Sequence, residues 1–157
     1  MSTIRSGVFV LGAIAIMTAA CAQRVTRESG GDVAMGSTDV VGQSWGASLR
    51  GYDAWPSLRG STFAQLLTDG TRISLSIEGG FPGANHEWDV REGSCGAKGR
   101  VFGDSTVYPF VPLGQLGRGD GVVKLSERMD PSKQYSVSIY SSGVDRSLVA
   151  ACNLLTR

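Results

Sequence analysis

Histidine and cysteine are scarce in this sequence of 157 residues, which has one histidine, His86, and three cysteines. Redox-active copper sites need several imidazole ligands, so this composition argues against metal chemistry. Charge is scarce as well: 18% of the residues are charged, and 15 basic residues against 14 acidic ones give a net charge of +1. Nucleic-acid binders neutralise phosphates with a surplus of basic residues, so we expect no nucleic-acid partner.

The apolar run near the N-terminus is short, because it covers only thirteen residues, from Val8 to Ala20. A helix needs about 20 apolar residues to cross a bilayer, whereas the apolar region of a signal peptide needs only about 7 to 15. One positive charge, Arg5, precedes the run. We therefore expect residues 1–20 to be a signal peptide that is not part of the folded domain.

The residues after this run resemble the lipobox of bacterial lipoproteins. Thr18, Ala19 and Ala20 stand directly before Cys21, with Thr18 at the position where leucine is usual. The resemblance implies that Cys21 becomes the mature N-terminus and carries a lipid that attaches the protein to a membrane. The protein is then expected in the bacterial cell envelope, facing the periplasm or the cell exterior. An ordinary signal peptide or an uncleaved anchor is the alternative.

Two cysteines, Cys95 and Cys152, are left once Cys21 is assigned to the lipid. An exported protein enters a compartment that permits disulfides, so one bridge is the simplest use of them, and two free buried thiols are the alternative. Such a bridge would close a loop of about 58 residues, for which chain entropy predicts roughly 4 kcal/mol of stabilisation. Removal of the leader would also remove Arg5, which leaves 14 basic and 14 acidic side chains.

Residues 21–44 are rich in Gly, Ser, Thr and charge, and they show no sustained period of 2 or 3.6. Such a segment cannot bury enough apolar surface to order itself. We therefore expect it to be a flexible tether between the lipid and one folded domain at residues 45–157. The chain has 22 glycines, about twice the usual share, which indicates a domain with many turns.

Alternating apolar and polar residues predict short strands through this domain. The clearest pair, 61–67 and 72–77, flanks Asp69-Gly70, a dipeptide that provides the positive φ of a tight hairpin. Short strands at this spacing, separated by Gly, Pro and Asp, are typical of an all-β antiparallel sandwich or barrel. The further strands are predicted at residues 86–91, 107–111, 121–125, 134–140 and 147–152.

The segment GANHEWDVREG (residues 83–93), followed by Cys95, resembles the copper-binding strand of the Cu/Zn superoxide dismutases, approximately G-x-H-G-F-H-V-H-E-x-G. The segment LVAACNLL (148–155) is similar to the closing strand of that family, and YSVSIY (135–140) to the strand with the last copper histidine. The resemblance covers roughly residues 58–155. It implies a Greek-key β-sandwich of seven to eight strands, with a Cys95–Cys152 disulfide that ties a loop to the last strand.

The metal ligands of that family are not retained here. Asp89, Arg91 and Tyr140 occupy positions of its metal histidines, and His86 matches a histidine that is not a copper ligand. A guanidinium stays protonated and does not ligate metals. The sequence therefore predicts no metal site and no cofactor. We expect Arg91 to replace the positive charge of the metal and to hydrogen-bond Asp89 and Tyr140.

Aromatic residues at the start of the domain form a second candidate site. Trp45, Tyr52 and Trp55 lie in a polar, glycine-containing stretch. Tyr and Trp are enriched at interfaces, so these residues are candidates for contact with a partner protein; capping of one end of the sandwich is the alternative. His86, the only candidate base for a hydrolase, is expected to face inward and to pack rather than to catalyse.

Three functions are compatible with these observations. The first is a non-enzymatic, lipid-anchored envelope protein whose metal-free, superoxide dismutase-like sandwich is a structural or interaction module, for example an accessory subunit of a membrane assembly. The second is a protein that binds a small anion or small molecule at the face of Asp89, Arg91 and Tyr140. The third is an enzyme with residual dismutase chemistry, for which the sequence offers no catalytic residue. We expect the first.

Overall fold

The chain forms antiparallel β-sheets in the computed structural model, which describes residues 40–52, 54–141 and 149–157. Residues 1–20, Cys21 and most of the predicted tether lie outside these ranges. The strands are β1 Val40–Arg50, β2 Arg59–Leu67, β3 Gly70–Glu78, β4 Asn85–His86, β5 Trp88–Glu92, β6 Val111–Pro112, β7 Gly119–Leu125, β8 Tyr135–Tyr140 and β9 Val149–Leu155. The predicted all-β, antiparallel class is confirmed. No helix in the described ranges is long and apolar enough to cross a membrane.

The strands form three sheets. One sheet has four strands in the order β1-β2-β3-β7, a second has three in the order β5-β8-β9, and β4 pairs with β6. Strands β1 and β9 also meet, since Gly46 and Thr156 exchange two backbone hydrogen bonds of 2.7 and 2.9 Å. The backbone N–H of Tyr52 donates to the carbonyl of Ala150 at 2.8 Å. The four-stranded and three-stranded sheets are therefore connected along one side.

Residues that alternate in the sequence alternate in burial. In β3, Ile73, Leu75 and Ile77 are buried, whereas Arg72 and Ser76 are exposed. Successive side chains of a strand point to opposite faces, so this sheet has one wet face and one dry face. The dry face shares one hydrophobic core with Trp88 and Val90 of β5 and with Val137 and Ile139 of β8.

The predicted hairpin at Asp69-Gly70 is confirmed. Leu67 pairs with Gly70 across β2 and β3, so the loop consists of Thr68 and Asp69. Gly70 has a φ of 151°, and a Cβ at this position would collide with the carbonyl oxygen of Leu125. Glycine is needed here both for the backbone conformation and for the close approach of β7.

The strand predicted at 107–111 is wrong. The structure has a short 3-10 turn at Ser105–Val107, which begins where the Asp104 carboxylate accepts from the backbone N–H of Thr106 at 2.9 Å. Strand β6 starts only at Val111 and has two residues. Two prolines, Pro109 and Pro112, lack the N–H that a longer ladder would need.

Strand β1 was not predicted from the sequence, and it begins within the segment expected to be a tether. It starts at Val40, so residues 40–44 of the expected tether belong to a strand. Its inward side chains, Trp45, Ala47 and Leu49, belong to the core or pack against it. These three side chains alternate with outward-facing ones, and this alternation is visible in the sequence but extends over few residues.

The predicted disulfide between Cys95 and Cys152 is confirmed, with Cα atoms 5.9 Å apart and a sequence separation of 57 residues. Cys95 lies in the loop after β5, and Cys152 lies in β9. The bridge therefore fixes this loop against the three-stranded sheet.

Candidate functional site

Strand β8 is buried on both faces, although only one of them belongs to the core. On the other face, Ser136, Ser138 and Tyr140 expose only 1%, 6% and 3% of their surface. These three side chains line a cavity of about 390 Å³ together with Arg91 of β5, Val149 of β9 and residues of the loop after β5. The cavity thus lies on the outer side of the three-stranded sheet, beneath the loop that the disulfide fixes.

The side chains of Arg91 and Asp89 form a two-point ion pair beside this cavity. Arg91 Nε donates to Asp89 Oδ1 at 3.2 Å, and Arg91 Nη2 donates to Asp89 Oδ2 at 2.9 Å. Asp89 is fully buried, whereas 28% of the Arg91 side chain is exposed. Arg91 Nη1 also donates to the carbonyl oxygen of Gly99 at 3.2 Å, which ties the pair to the end of the loop.

The hydroxyl group of Tyr140 completes the cluster. It lies 3.0 Å from each carboxylate oxygen of Asp89, and Arg91 Nε donates to it at 3.3 Å. Burial, reinforced by the negative charge of Asp89, raises the pKa of Tyr140 above its ordinary value. Burial disfavours the charge of Arg91, but hydrogen bonds to Asp89 and Tyr140 outweigh it and raise the pKa of the guanidinium. At neutral pH the cluster therefore contains a guanidinium cation and a neutral phenol.

The strand register explains why these side chains meet. Asp89 lies opposite Ser138, and Arg91 lies opposite Ser136, in the antiparallel pairing of β5 and β8. Directly opposed side chains have Cβ atoms about 4.5–5.5 Å apart, and diagonal neighbours are within reach of long side chains. The structure thus brings together the three candidate residues Asp89, Arg91 and Tyr140 on one face.

His86 is fully buried and holds the backbone of the same region. Its Nδ1 atom lies 2.7 Å from the carbonyl oxygen of Tyr140. A carbonyl oxygen only accepts, so Nδ1 carries the proton in this contact. The Nε2 atom has no hydrogen-bond partner among the described residues, and the ring packs edge-to-face on Trp55 at 5.2 Å. These contacts are those of a packing residue.

The three aromatic interface candidates lie in different environments. Trp45 is 2% exposed and belongs to the core, so its ring cannot contact a partner. Trp55 is half-buried against His86 and Phe81, whereas Tyr52 is 46% exposed. Of the three, Tyr52 is therefore the residue most exposed to solvent.

Two apolar residues that the sequence analysis did not single out are more exposed. Phe81 is 67% exposed and Leu116 is 81% exposed. Their loops are joined by a hydrogen bond from the backbone N–H of Gly80 to the carbonyl of Gly117, at 3.3 Å. Each lies in a glycine-rich turn, where an apolar side chain does not belong to the buried face of a strand. A large apolar residue in such a turn is the sequence signal that could have identified them. We call Trp55, Phe81 and Leu116 the loop-end patch.

The cavity-lining serines were also not identified from the sequence. Ser136 and Ser138 alternate with core residues along β8, so the pattern alone makes them solvent-facing. They line the cavity together with residues of the loop that contains Cys95, and Ser138 Oγ donates to Cys152 Sγ at 3.3 Å. Within the described ranges, no group of three or more His, Cys, Asp or Glu residues is arranged to hold a metal ion.

Comparison with known proteins does not assign the chain to a family. No protein-family model matches the sequence, and no curated protein matches it. The functional inference therefore depends on the geometry described above and on the sequence resemblances.

Proposed function

We propose that this protein is a lipid-anchored, non-enzymatic component of the bacterial cell envelope, and that its domain is a superoxide dismutase-like Greek-key sandwich acting as a structural or interaction module. The observation that carries the proposal is the Arg91 guanidinium, which is hydrogen-bonded to both Asp89 and Tyr140. A cation supplied by the chain itself stands at the positions that hold metal histidines in the resembling family.

The topology supports the dismutase-like part of the proposal. The three segments that resemble that family contain β5, β8 and β9, and these strands are neighbours in one sheet. The family resemblance also implies a bridge between a loop and the closing strand, and Cys95 and Cys152 form such a bridge. Pairing of just these segments is a more specific agreement than an all-β fold alone.

The residues at the metal positions do not fit copper or zinc. Copper in such a site needs several neutral imidazoles, and here the side chains are a carboxylate, a guanidinium and a phenol. The carboxylate of Asp89 is already paired with Arg91, so a divalent cation would have to displace the guanidinium at a cost in buried charge. The arrangement suits a structural ion pair, and we derive no redox step from it.

The loop-end patch supports a role in contact with another protein. Exposed large apolar side chains on neighbouring loops are typical of interaction sites, particularly when a half-buried aromatic lies beside them. Phe81 packs edge-to-face on Trp55 with ring centroids 5.2 Å apart, so the patch includes an aromatic pair. We propose another envelope or membrane protein as the partner.

Metabolic labelling tests the lipid anchor. In bacteria fed an alkyne fatty acid, the wild-type protein is expected to carry the label and to enter the detergent phase of Triton X-114, whereas Cys21→Ala is expected to do neither. The Cys95→Ser/Cys152→Ser variant is the matched control, because it should keep the label. Equal labelling of wild type and Cys21→Ala would contradict lipidation at this cysteine.

Site-specific photo-crosslinking tests the interaction module. A crosslinking amino acid at Leu116 is expected to give one adduct with an envelope protein. The same amino acid at Val122, which is 49% exposed elsewhere on the domain, is the control and should give none. Metal analysis of protein exposed to copper and zinc completes the test, since stoichiometric binding of either metal would overturn the proposal.

A further inference from the structure

The cavity beside the ion pair is lined mainly by polar side chains, two of which are cationic. Ser136, Ser138 and Tyr140 form its floor, Arg91 lines one side, and the loop residues Ser94 and Lys98 form its rim. No acidic side chain belongs to the described residues that line it. The only carboxylate of the cluster, on Asp89, is fully buried against Arg91.

The Arg91 guanidinium has donors to spare. It carries five N–H groups. Among the described residues, Nε is engaged with Asp89 and Tyr140, Nη2 donates once to Asp89, and Nη1 donates once to Gly99. One N–H on each Nη atom is therefore left for another acceptor, and two N–H groups of a guanidinium match two oxygens of an oxyanion.

Ser136 provides the second and independent observation. It lies directly opposite Arg91 in the strand pairing and is 1% exposed, yet its hydroxyl makes no hydrogen bond to any described residue. Within the described ranges, the fully enclosed side-chain atoms without a partner are Thr62 Oγ1 and His86 Nε2, so the Ser136 hydroxyl instead reaches the cavity that this residue lines. There it can donate a hydrogen bond to a ligand oxygen.

Charge and size select the kind of ligand. The charges of Arg91 and Asp89 cancel each other. Among the described residues that line the cavity or form an ion pair beside it, Lys98 is the remaining charged one, so the net charge there is +1. A volume of about 390 Å³ is small for an extended ligand. It accommodates an anionic group together with several waters, each of which occupies about 30 Å³.

We infer that this cavity binds a small oxyanion, a carboxylate or phosphate group, through the remaining N–H groups of Arg91, the hydroxyl of Ser136 and the ammonium group of Lys98. The inference does not depend on the lipid anchor or on the interaction role. It assigns a ligand to the polar side of β8, where two hydrogen bonds to Asp89 hold the guanidinium in one orientation.

NMR titration with inorganic phosphate and, separately, with acetate tests the site at constant ionic strength. Saturable shifts are expected for the Arg91 side-chain Nε–H and for the backbone amides of Ser136 and Lys98. The anion that binds more tightly identifies the ligand group as phosphate or carboxylate. Removing one hydrogen bond in Ser136→Ala is expected to weaken binding about fivefold.

Two further variants sharpen the titration. Lys98→Gln is expected to weaken binding about twofold to threefold and to reduce its salt dependence, because it removes one partly screened charge. Ser74→Ala, which lies on the wet face of the four-stranded sheet, is the matched control and should bind as the wild type does. Chemical shifts that rise linearly with anion concentration without saturating, for both anions, would overturn the inference. Equal affinities for Ser136→Ala and Ser74→Ala would also overturn it.

Discussion

Replacing Arg91 by methionine tests the ion pair most directly, because methionine keeps much of the side-chain volume and removes the charge. The variant leaves the fully buried carboxylate of Asp89 without its guanidinium. Breaking a buried pair in this way costs about 3–5 kcal/mol. Since 28% of the Arg91 side chain is exposed, we expect the lower end of that range, about 3 kcal/mol.

This cost should be visible in the melting temperature. For a domain of roughly 120 residues, each kcal/mol corresponds to about 4 °C, so Arg91→Met should melt about 12 °C below the wild type. Asp89→Asn should cost less, about 1–2 kcal/mol, because the Arg91 that it leaves behind can reach water. The order of the two variants therefore reports which member of the pair is shut away from solvent.

The double variant Asp89→Asn/Arg91→Met completes the cycle. Asparagine still offers an oxygen to the Tyr140 hydroxyl, and no buried charge is left, so we expect a total cost of about 1 kcal/mol. Thermal and urea unfolding at pH 7 give the four free energies. The reasoning fails if Arg91→Met lies within about 0.5 kcal/mol of the wild type, or if the double variant loses the sum of the single losses.

Three other outcomes follow from the structure. Reducing the disulfide should lower the free energy of unfolding by about 4 kcal/mol, measured by urea unfolding with and without reductant. Gly70→Ala should cost about 2 kcal/mol or more through backbone strain and collision with β7, read from its melting temperature. Hydrogen bonds from Lys133 and Arg100 lower the pKa of Glu92, and one from Arg100 lowers the pKa of Glu127. Their stabilisation is complete above the ordinary value of 4.5 and is lost as the pH falls below it; a pH series of melting temperatures should show this loss, reduced in Arg100→Gln.

The sequence was informative where periodicity and turn chemistry agreed. Around Asp69-Gly70, the alternation of Ile73, Leu75 and Ile77 predicted both the hairpin and its buried face. At 107–111 an apolar pattern was misleading, because Pro109 and Pro112 interrupt the ladder and leave only two residues in β6. Strand β1 was not predicted, because its alternation is short and follows a polar segment.

The candidate site shows a similar division. Parity along β5 and β8, combined with the family resemblance, predicted that Asp89 and Arg91 share a face with Tyr140. The cavity could not be predicted, since it depends on the β5–β8 register and on a loop that is held by a disulfide. The two cysteines of this disulfide are 57 residues apart in the sequence. Ser136 becomes a candidate only when that loop is in place.

The contact between β1 and β9 has a consequence for how copies of this domain meet at high local concentration. Unpaired backbone groups at sheet edges are templates for strands of other molecules. Here Gly46 and Thr156 satisfy each other, and the free edge of β5 is covered, because Glu92 and Phe102 donate their backbone N–H groups to Arg100 and Val90 at 3.0 and 2.8 Å. At these edges, a neighbouring molecule cannot add a strand and can contact the domain only through side chains. This protects the fold from aggregation by strand addition.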